Sequence, residues 1–378
     1  MNKDLKERIQ AFSDLGILFR ENSSSQKIKT FQKWDSELNK LLKDSYQHNS
    51  WFTENNLKLS LKNWSAVLNK KNIENWLENY TIELKSSKSV AIIMAGNVPI
   101  VGFHDLMCSL IWGLNCTVKL SSDDKFLIPL IVKFLQSRFE GFKEKVFFES
   151  KILKNFDAVI ATGSNNSHKY FEYYFGKYPN LLRKTRHSVA VLNGKESDND
   201  LSMLSNDVFD YFGLGCRSVS KIFIPKGYDL DLLFNAFYKH RFVMDHNKYV
   251  NNYDYNKAVY LMSEEKFYDN GFVILKEEKK LGSPIACVYF EYYDDLEIGL
   301  GINSFHERIQ TDATASERQK KLKGNYFDNH LQLSFDYDKR NQKFQTTNGF
   351  RSFYSLNLPV ISETNTLMNT WIATNYFE

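Results

Sequence analysis

The sequence predicts an α/β protein with a doubly wound parallel sheet, a second α/β region after it and a helical region before it. Three observations carry that reading. Short apolar runs of strand length recur between residues 89 and 192. Helical patterns alternate with them, and strand–helix alternation implies parallel pairing. Residues 1 to about 85 instead place apolar side chains near helical spacing, as at Leu5, Ile9, Phe12 and Leu15.

In chain order, Asn22-Ser23-Ser24-Ser25 reads as a turn and helix start, and Trp51, Trp64 and Trp76 punctuate the rest of the helical region. Ser89 to Ala95 is a continuous apolar run, the mark of a strand buried on both faces. It ends at Gly96-Asn97-Val98-Pro99. A helix is expected from Phe103 to Trp112, closed by Gly113. Cys116 to Leu120 is a second strand, Phe126 to Phe139 a second helix and Phe156 to Ala161 a third strand. Thr162-Gly163-Ser164 opens a third helix, and Ser188 to Leu192 is expected as a fourth strand of the same sheet. From about Asn193 a second α/β region follows. It has strands at Lys221 to Pro225, Phe272 to Leu275 and Ile285 to Phe290, and a helix from Leu230 to about Tyr238. Beyond Gln310 the pattern fades into polar sequence such as Thr311-Asp312-Ala313-Thr314-Ala315. The expected division is 1–85 helical, 86–190 first α/β domain, 191–310 second α/β domain and 311–378 a divergent C-terminal segment.

Composition narrows the classes. The chain has 378 residues, 43% of them hydrophobic and 25% charged, which suits a globular protein with a sizeable core. A net charge of +4 from 49 basic and 45 acidic residues is too small and dispersed for a nucleic-acid face. No run of about 18 apolar residues suggests a membrane span, and the polar start has no secretory pattern, so a cytoplasmic protein is expected. The four cysteines, Cys108, Cys116, Cys216 and Cys287, form no CxxC pair; free thiols and no zinc site are expected.

Four segments could carry chemistry. In Phe212-Gly213-Leu214-Gly215-Cys216-Arg217-Ser218, two glycines permit a close backbone approach beside a thiol, and Arg217 could favour its thiolate. Read alone, the segment is better described as a buried structural cysteine at a tight turn. Asn97 sits at a strand's carboxyl end, where open α/β sheets bind ligands, and its amide could donate to an oxyanion; a plain turn is the alternative. Lys119-Leu120-Ser121-Ser122 suits a ribose or a phosphate, or is a solvated strand end. Thr162-Gly163-Ser164 offers a helix N-terminus for pyrophosphate, or Ser164 is only an N-cap. The GxGxxG fingerprint is absent. His104 and His187 are the nearest histidines, read as structural or solvent-facing, and Asp105 as an early-turn helix residue.

In this order the segments resemble the aldehyde dehydrogenase superfamily. The wording of Gly96 to Asp105, Val118 to Ser122, Ser188 to Leu192 and Tyr211 to Lys221 is similar to the LuxC-type acyl-CoA reductases, as are Asn251 to Asn256 and Gly282 to Ile285. The resemblance runs from about residue 85 to 310. It implies a Rossmann-like NAD(P)-binding domain followed by a catalytic domain. It implies Cys216 as the acyl-accepting nucleophile and Asn97 as the oxyanion donor. Lys119 and Ser121 fall at the adenosine ribose, and Thr162, Gly163 and Ser164 at the pyrophosphate. Ser122 falls where NAD-preferring members often carry Glu, which implies NADPH, with NADH still open. Val191 stands where aldehyde-oxidising members carry their water-activating Glu, which suits a reductase. The implied reaction converts a long-chain acyl-CoA or acyl-protein into a fatty aldehyde. The implied partners are an acyl-protein synthetase and further copies of this chain. A non-redox acyl-binding or acyl-transfer protein of the same fold is the second reading.

Overall fold

The computed structural model describes residues 3–24, 29–82, 87–293, 295–309, 324–340, 347–362 and 367–376. Ser25, residues 83–85 and the polar stretch 310–323, all part of the sequence expectations, lie outside the described residues.

Four helices open the chain: α1 (Lys3–Ser23), α2 (Gln32–His48), α3 (Glu54–Val67) and α4 (Lys70–Leu77). Leu5, Ile9, Phe12, Leu15 and Phe19 recur every three or four residues and are buried, so one face of α1 enters the core. Thr53 and Asn69 cap α3 and α4 by accepting the backbone N–H of Asn56 and Asn72. These helices share one core with the first sheet: Phe103 meets Phe12 at 6.2 Å, Phe19 at 6.4 Å and Trp64 at 4.7 Å between ring centroids.

The first sheet contains β1 (Ser89–Ile93), β2 (Asn115–Lys119), β3 (Val146–Phe148), β4 (Ala158–Thr162) and β5 (Asn180–Arg183), linked by α5 (Phe103–Ile111), α6 (Leu127–Arg138) and α7 (Asn165–Phe175). All pairs are parallel, in the order β3-β2-β1-β4-β5. The chain builds outward from β1 to β3, then returns to place β4 on the other side of β1. The crevice outside the carboxyl ends of β1 and β4 is therefore the topological switch point. Gly113 takes a left-handed φ of 76° where α5 ends, as expected of a helix terminator.

The second sheet has β6 (Ser188–Val191), β7 (Val219–Pro225), β8 (Tyr268–Asp269), β9 (Ile274–Glu277) and β10 (Cys287–Tyr293), in the order β6-β7-β10-β9-β8. The helices α8 (Asp198–Phe209), α9 (Leu230–Phe237) and α10 (Asn247–Met262) pack on it. Here the structure corrects one expectation. The run at Ser188 is a strand, but it pairs with β7 and not with the first sheet. An apolar run reports a strand, not its neighbours. The fifth place in the first sheet goes to β5, whose two apolar residues, Leu181 and Leu182, are too few to stand out.

The described part of the C-terminal region is also not patternless. The strands β11 (Asp295–Ile309), β12 (Gly324–Asp338), β13 (Gly349–Ser362) and β14 (Met368–Tyr376) form an antiparallel sheet. Leu331, Leu333, Phe335 and Tyr337 alternate with Gln332, Ser334 and Asp336, a period-two signal obscured by the polar composition. Glu291 of β10 ties this sheet to the second. It accepts from Lys221 Nζ at 2.5 Å, Lys339 Nζ at 2.8 Å and the Tyr337 hydroxyl at 3.2 Å.

Candidate active site

The turn after β1 and the loop before β7 meet. Asn97 Nδ2 donates to the Leu214 carbonyl at 2.7 Å. A Cβ placed on Gly215 would lie 3.7 Å from Val98. One loop leaves the carboxyl end of the first sheet and the other enters the amino end of the second. Their contact brings Asn97 against the segment that presents Cys216. An amide carries two N–H donors, so the bond to Leu214 uses one and orients the other.

Cys216 is a free, exposed thiol. Its loop is held by Ser218 N–H donating to Gly215 O at 3.0 Å and by Ser188 Oγ donating to the Cys216 carbonyl at 3.0 Å. Cys116 and Cys287 are buried, and burial pushes both thiols up to about 12. A thiol needs to ionise to act as a nucleophile, so those two are inert.

The backbone shape at the start of this loop was legible in the sequence only at Gly213. Tyr211, Phe212 and Gly213 all take left-handed φ values, of 55°, 57° and 74°. For the two that carry Cβ atoms this costs about 1–2 kcal/mol each. The conformation is held by burying Phe212 against His246 at 4.5 Å, Trp51 at 5.2 Å and Tyr249 at 6.1 Å. His246 is itself anchored, accepting from Tyr249 N–H at Nδ1 and meeting the Ser50 carbonyl at Nε2.

The remaining sequence candidates line the carboxyl edge of the first sheet. Ile93 pairs with Lys119 on one side and Ala161 on the other, so Lys119 and Ala161 stand two strand spacings apart, about 10 Å. Lys119 Nζ donates to the Lys151 carbonyl at 3.1 Å. Ser121 Oγ accepts from Asp123 N–H at 3.2 Å, and Ser122 is exposed. Ser164 caps α7 by accepting from Ser167 N–H at 3.2 Å, and Thr162 Oγ1 lies 3.4 Å from Arg183 Nη1. A Cβ on Gly163 would come within 2.8 Å of Ser167 Cβ and 2.9 Å of the Phe171 ring, so only glycine lets α7 sit this close.

Charged groups near this edge pair with one another. Arg183 makes a bidentate contact with Asp105, at 2.6 and 2.9 Å. The Asp105 carboxylate and the Cys108 sulfur raise the pKa of His104, which favours imidazolium over a free base. His187 packs its ring against Gly282 and is exposed. Val191 is exposed at the end of β6, and Glu196 spends both oxygens on the N–H groups of Asn193 and Gly194.

This is an aldehyde dehydrogenase-like fold: parallel α/β layers meet across a switch-point crevice, with an exposed cysteine at the junction. Among solved structures, aldehyde dehydrogenase 21 from Physcomitrella patens, bound to succinate, superposes with a TM-score of 0.52 at 12% identity. It covers 77% of this chain and 69% of that one. A benzaldehyde dehydrogenase from Corynebacterium glutamicum gives 0.54 at 9% identity, over 78% and 74%. An aldehyde dehydrogenase from Pseudomonas syringae, bound to NAD+ and octanal, gives 0.53 at 11% identity, over 78% and 69%. In sequence, the chain resembles the long-chain acyl-protein thioester reductase of Aliivibrio fischeri, with 22% identity over 227 residues, 55% of this chain and 47% of that protein. The chain thus spans about half the length of this curated relative. No family profile matches it.

Proposed function

We propose that this chain reduces a long-chain acyl thioester, presented as acyl-protein or acyl-CoA, to the fatty aldehyde with NADPH, through an acyl group held on Cys216. The observation that carries the reading is the 2.7 Å bond from Asn97 to Leu214, which joins an oxyanion donor to the nucleophile loop at the mouth of the switch-point crevice. The similarity to an acyl-protein thioester reductase supports the substrate class. Cofactor-bound neighbours such as the Pseudomonas syringae enzyme support a nicotinamide.

The residues present fit such a dinucleotide. The α7 N-terminus and the Cβ-free Gly163 suit a pyrophosphate, Lys119 and Ser121 suit the adenosine ribose, and Ser122 leaves room for a 2′-phosphate. When bound, the reduced nicotinamide supplies hydride. The protein's part is as follows. The Cys216 thiolate adds to the thioester carbonyl while the Asn97 amide and the Cys216 N–H hold the oxyanion. The C–S bond to the donor breaks, and the donor leaves as a thiolate that takes up a proton. The acyl group is now a thioester on Cys216. Val191 offers no base to activate water, so this thioester persists until hydride reaches its carbonyl carbon. The resulting thiohemiacetal collapses, breaking its C–S bond and releasing the aldehyde and the Cys216 thiolate. A homo-oligomer and an acyl-protein synthetase complete the proposal.

The test is loss of reduced-nicotinamide absorbance with NADPH and NADH across an acyl chain-length series, beside Cys216→Ala. Aldehyde formation that falls by at least about 10³-fold in Cys216→Ala is expected. A fully active Cys216→Ala protein sinks the mechanism. Acylation of Cys216 without cofactor oxidation sinks the reductase reading and leaves an acyl carrier.

A further inference from the structure

We infer that Asp124 is a positioning residue that holds the Asn97 turn in its oxyanion-binding shape. The inference rests on the reading of Asn97 given above. Asp124 is 5% exposed, sits just beyond Ser121-Ser122 and makes no salt bridge among the described residues. Its Oδ2 accepts the Ile100 N–H at 2.8 Å, and the Leu127 N–H also leans on the carboxyl group. Ile100 takes a left-handed φ of 51°, three residues after Asn97. A β-branched residue is a poor occupant of that conformation and stays there only when its surroundings hold it.

The other contacts of the turn do not replace this one. Ser60 Oγ donates to the Pro99 carbonyl at 3.1 Å from α3. Gly96 packs directly on the Ser121 side chain and on the Asp124 N–H, where a Cβ would come within 2.5 and 3.1 Å. The backbone of the Ser121–Asp124 loop thus closes one side of the turn. The Asp124 side chain reaches across to bind its strained residue. The same short loop carries Ser121, one of the two proposed ribose residues, so cofactor seat and oxyanion donor share one support. Burial raises the carboxyl to about 6 against the pull of the two N–H groups, and Oδ1 is buried with no hydrogen-bond partner among the described residues. A charged group kept in so unfavourable a place holds two N–H groups, that of Leu127 at the start of α6 and that of the strained Ile100.

The test separates geometry from fold. Cys216 is acylated with decanoyl-coenzyme A without reduced cofactor, and the rate is read by mass spectrometry. In parallel, Cys216 is alkylated with iodoacetamide, which develops no oxyanion, and read by peptide mapping. Asp124→Ala should slow acylation by about 10²-fold while alkylation changes less than about twofold. Asp124→Asn can place a carbonyl oxygen where Oδ2 stands and should recover most of the acylation rate. Combining Asp124→Ala with Asn97→Ala should be little slower than Asn97→Ala alone, because the two act as a unit. The inference is overturned if Asp124→Ala acylates at the unaltered rate, slows alkylation equally, is not rescued by Asn, or multiplies with Asn97→Ala. If the unaltered protein takes no acyl group at all, the parent reading fails first and the inference falls with it.

Discussion

The two α/β layers present their working residues from opposite ends. In the first sheet, Asn97, Lys119 and Thr162-Gly163-Ser164 stand at or just after the carboxyl ends of strands. In the second, Ser188 and Cys216 stand at the amino ends of β6 and β7. Lys119 and Thr162-Gly163-Ser164 cost little, because a short turn after a parallel strand already points its amides into the crevice, whereas the turn that carries Asn97 holds Ile100 left-handed at 51°. The second sheet needs a loop bent against its preference, with Tyr211 and Phe212 left-handed and an aromatic cluster holding them. The proposed cofactor edge is thus built from small and polar residues, whereas the loop that carries Cys216 rests on a large buried anchor.

The sharpest way to break this comparison is to remove that anchor. Phe212→Ala should cost about 3–5 kcal/mol in denaturant unfolding and release the left-handed bend. Acylation of the surviving folded protein should fall more than about tenfold. Phe134→Ala, fully buried on α6 between Phe31 and Trp34, should cost comparable stability but leave acylation near normal in conditions that keep it folded. Equal acylation losses in the two variants would mean that Phe212 contributes only to the core.

A smaller effect belongs to the proposed cofactor edge. Gly163→Ala puts a Cβ against Ser167 and Phe171, so α7 must withdraw by a few tenths of an ångström or more. NADPH affinity, read by fluorescence titration, should weaken about tenfold, with Cys216 alkylation unchanged. Unaltered affinity would remove Gly163 from the cofactor seat.

How much of this was legible in the sequence follows the same division. The apolar run at β1, the terminator Gly113 and the cap Ser164 are local signals, each with a local cause. The Gly-x-Gly-Cys spacing, read alone, favoured a buried thiol, and only the order of the segments singled out Cys216; nothing marks Tyr211 or Phe212 as left-handed, since only tertiary packing holds them there. Asp124 was not singled out in the sequence, because its burial depends on a turn about 25 residues upstream. The partner of β6 was misread for the same reason. Pairing between distant segments leaves no mark on either one.

The last difference between the layers is electrostatic and runs in opposite senses with pH. Asp124, in the first layer, is raised by burial from 3.8 to about 6, so between about pH 4 and 6 the folded protein binds the extra proton. Its contribution to stability is present below pH 3.8 and is lost as pH rises through about 6. His240, in the second layer, is lowered by burial, and then by Lys239, from 6.5 to about 4. Its ring stacks on Phe209 at 5.0 Å and meets Asn206 Oδ1 at 3.1 Å. Here the unfolded chain binds the extra proton, so stability is present above pH 6.5 and is lost as pH falls through about 4. Each group is worth on the order of 2–3 kcal/mol over its window, and together they largely cancel. Asp124→Asn should therefore unmask a steeper loss of stability on acidification from pH 6.5 to 4, while His240→Gln should reverse its sign. Urea midpoints measured across that range decide the matter. Parallel curves for both variants and the unaltered protein would show that neither burial reaches global stability.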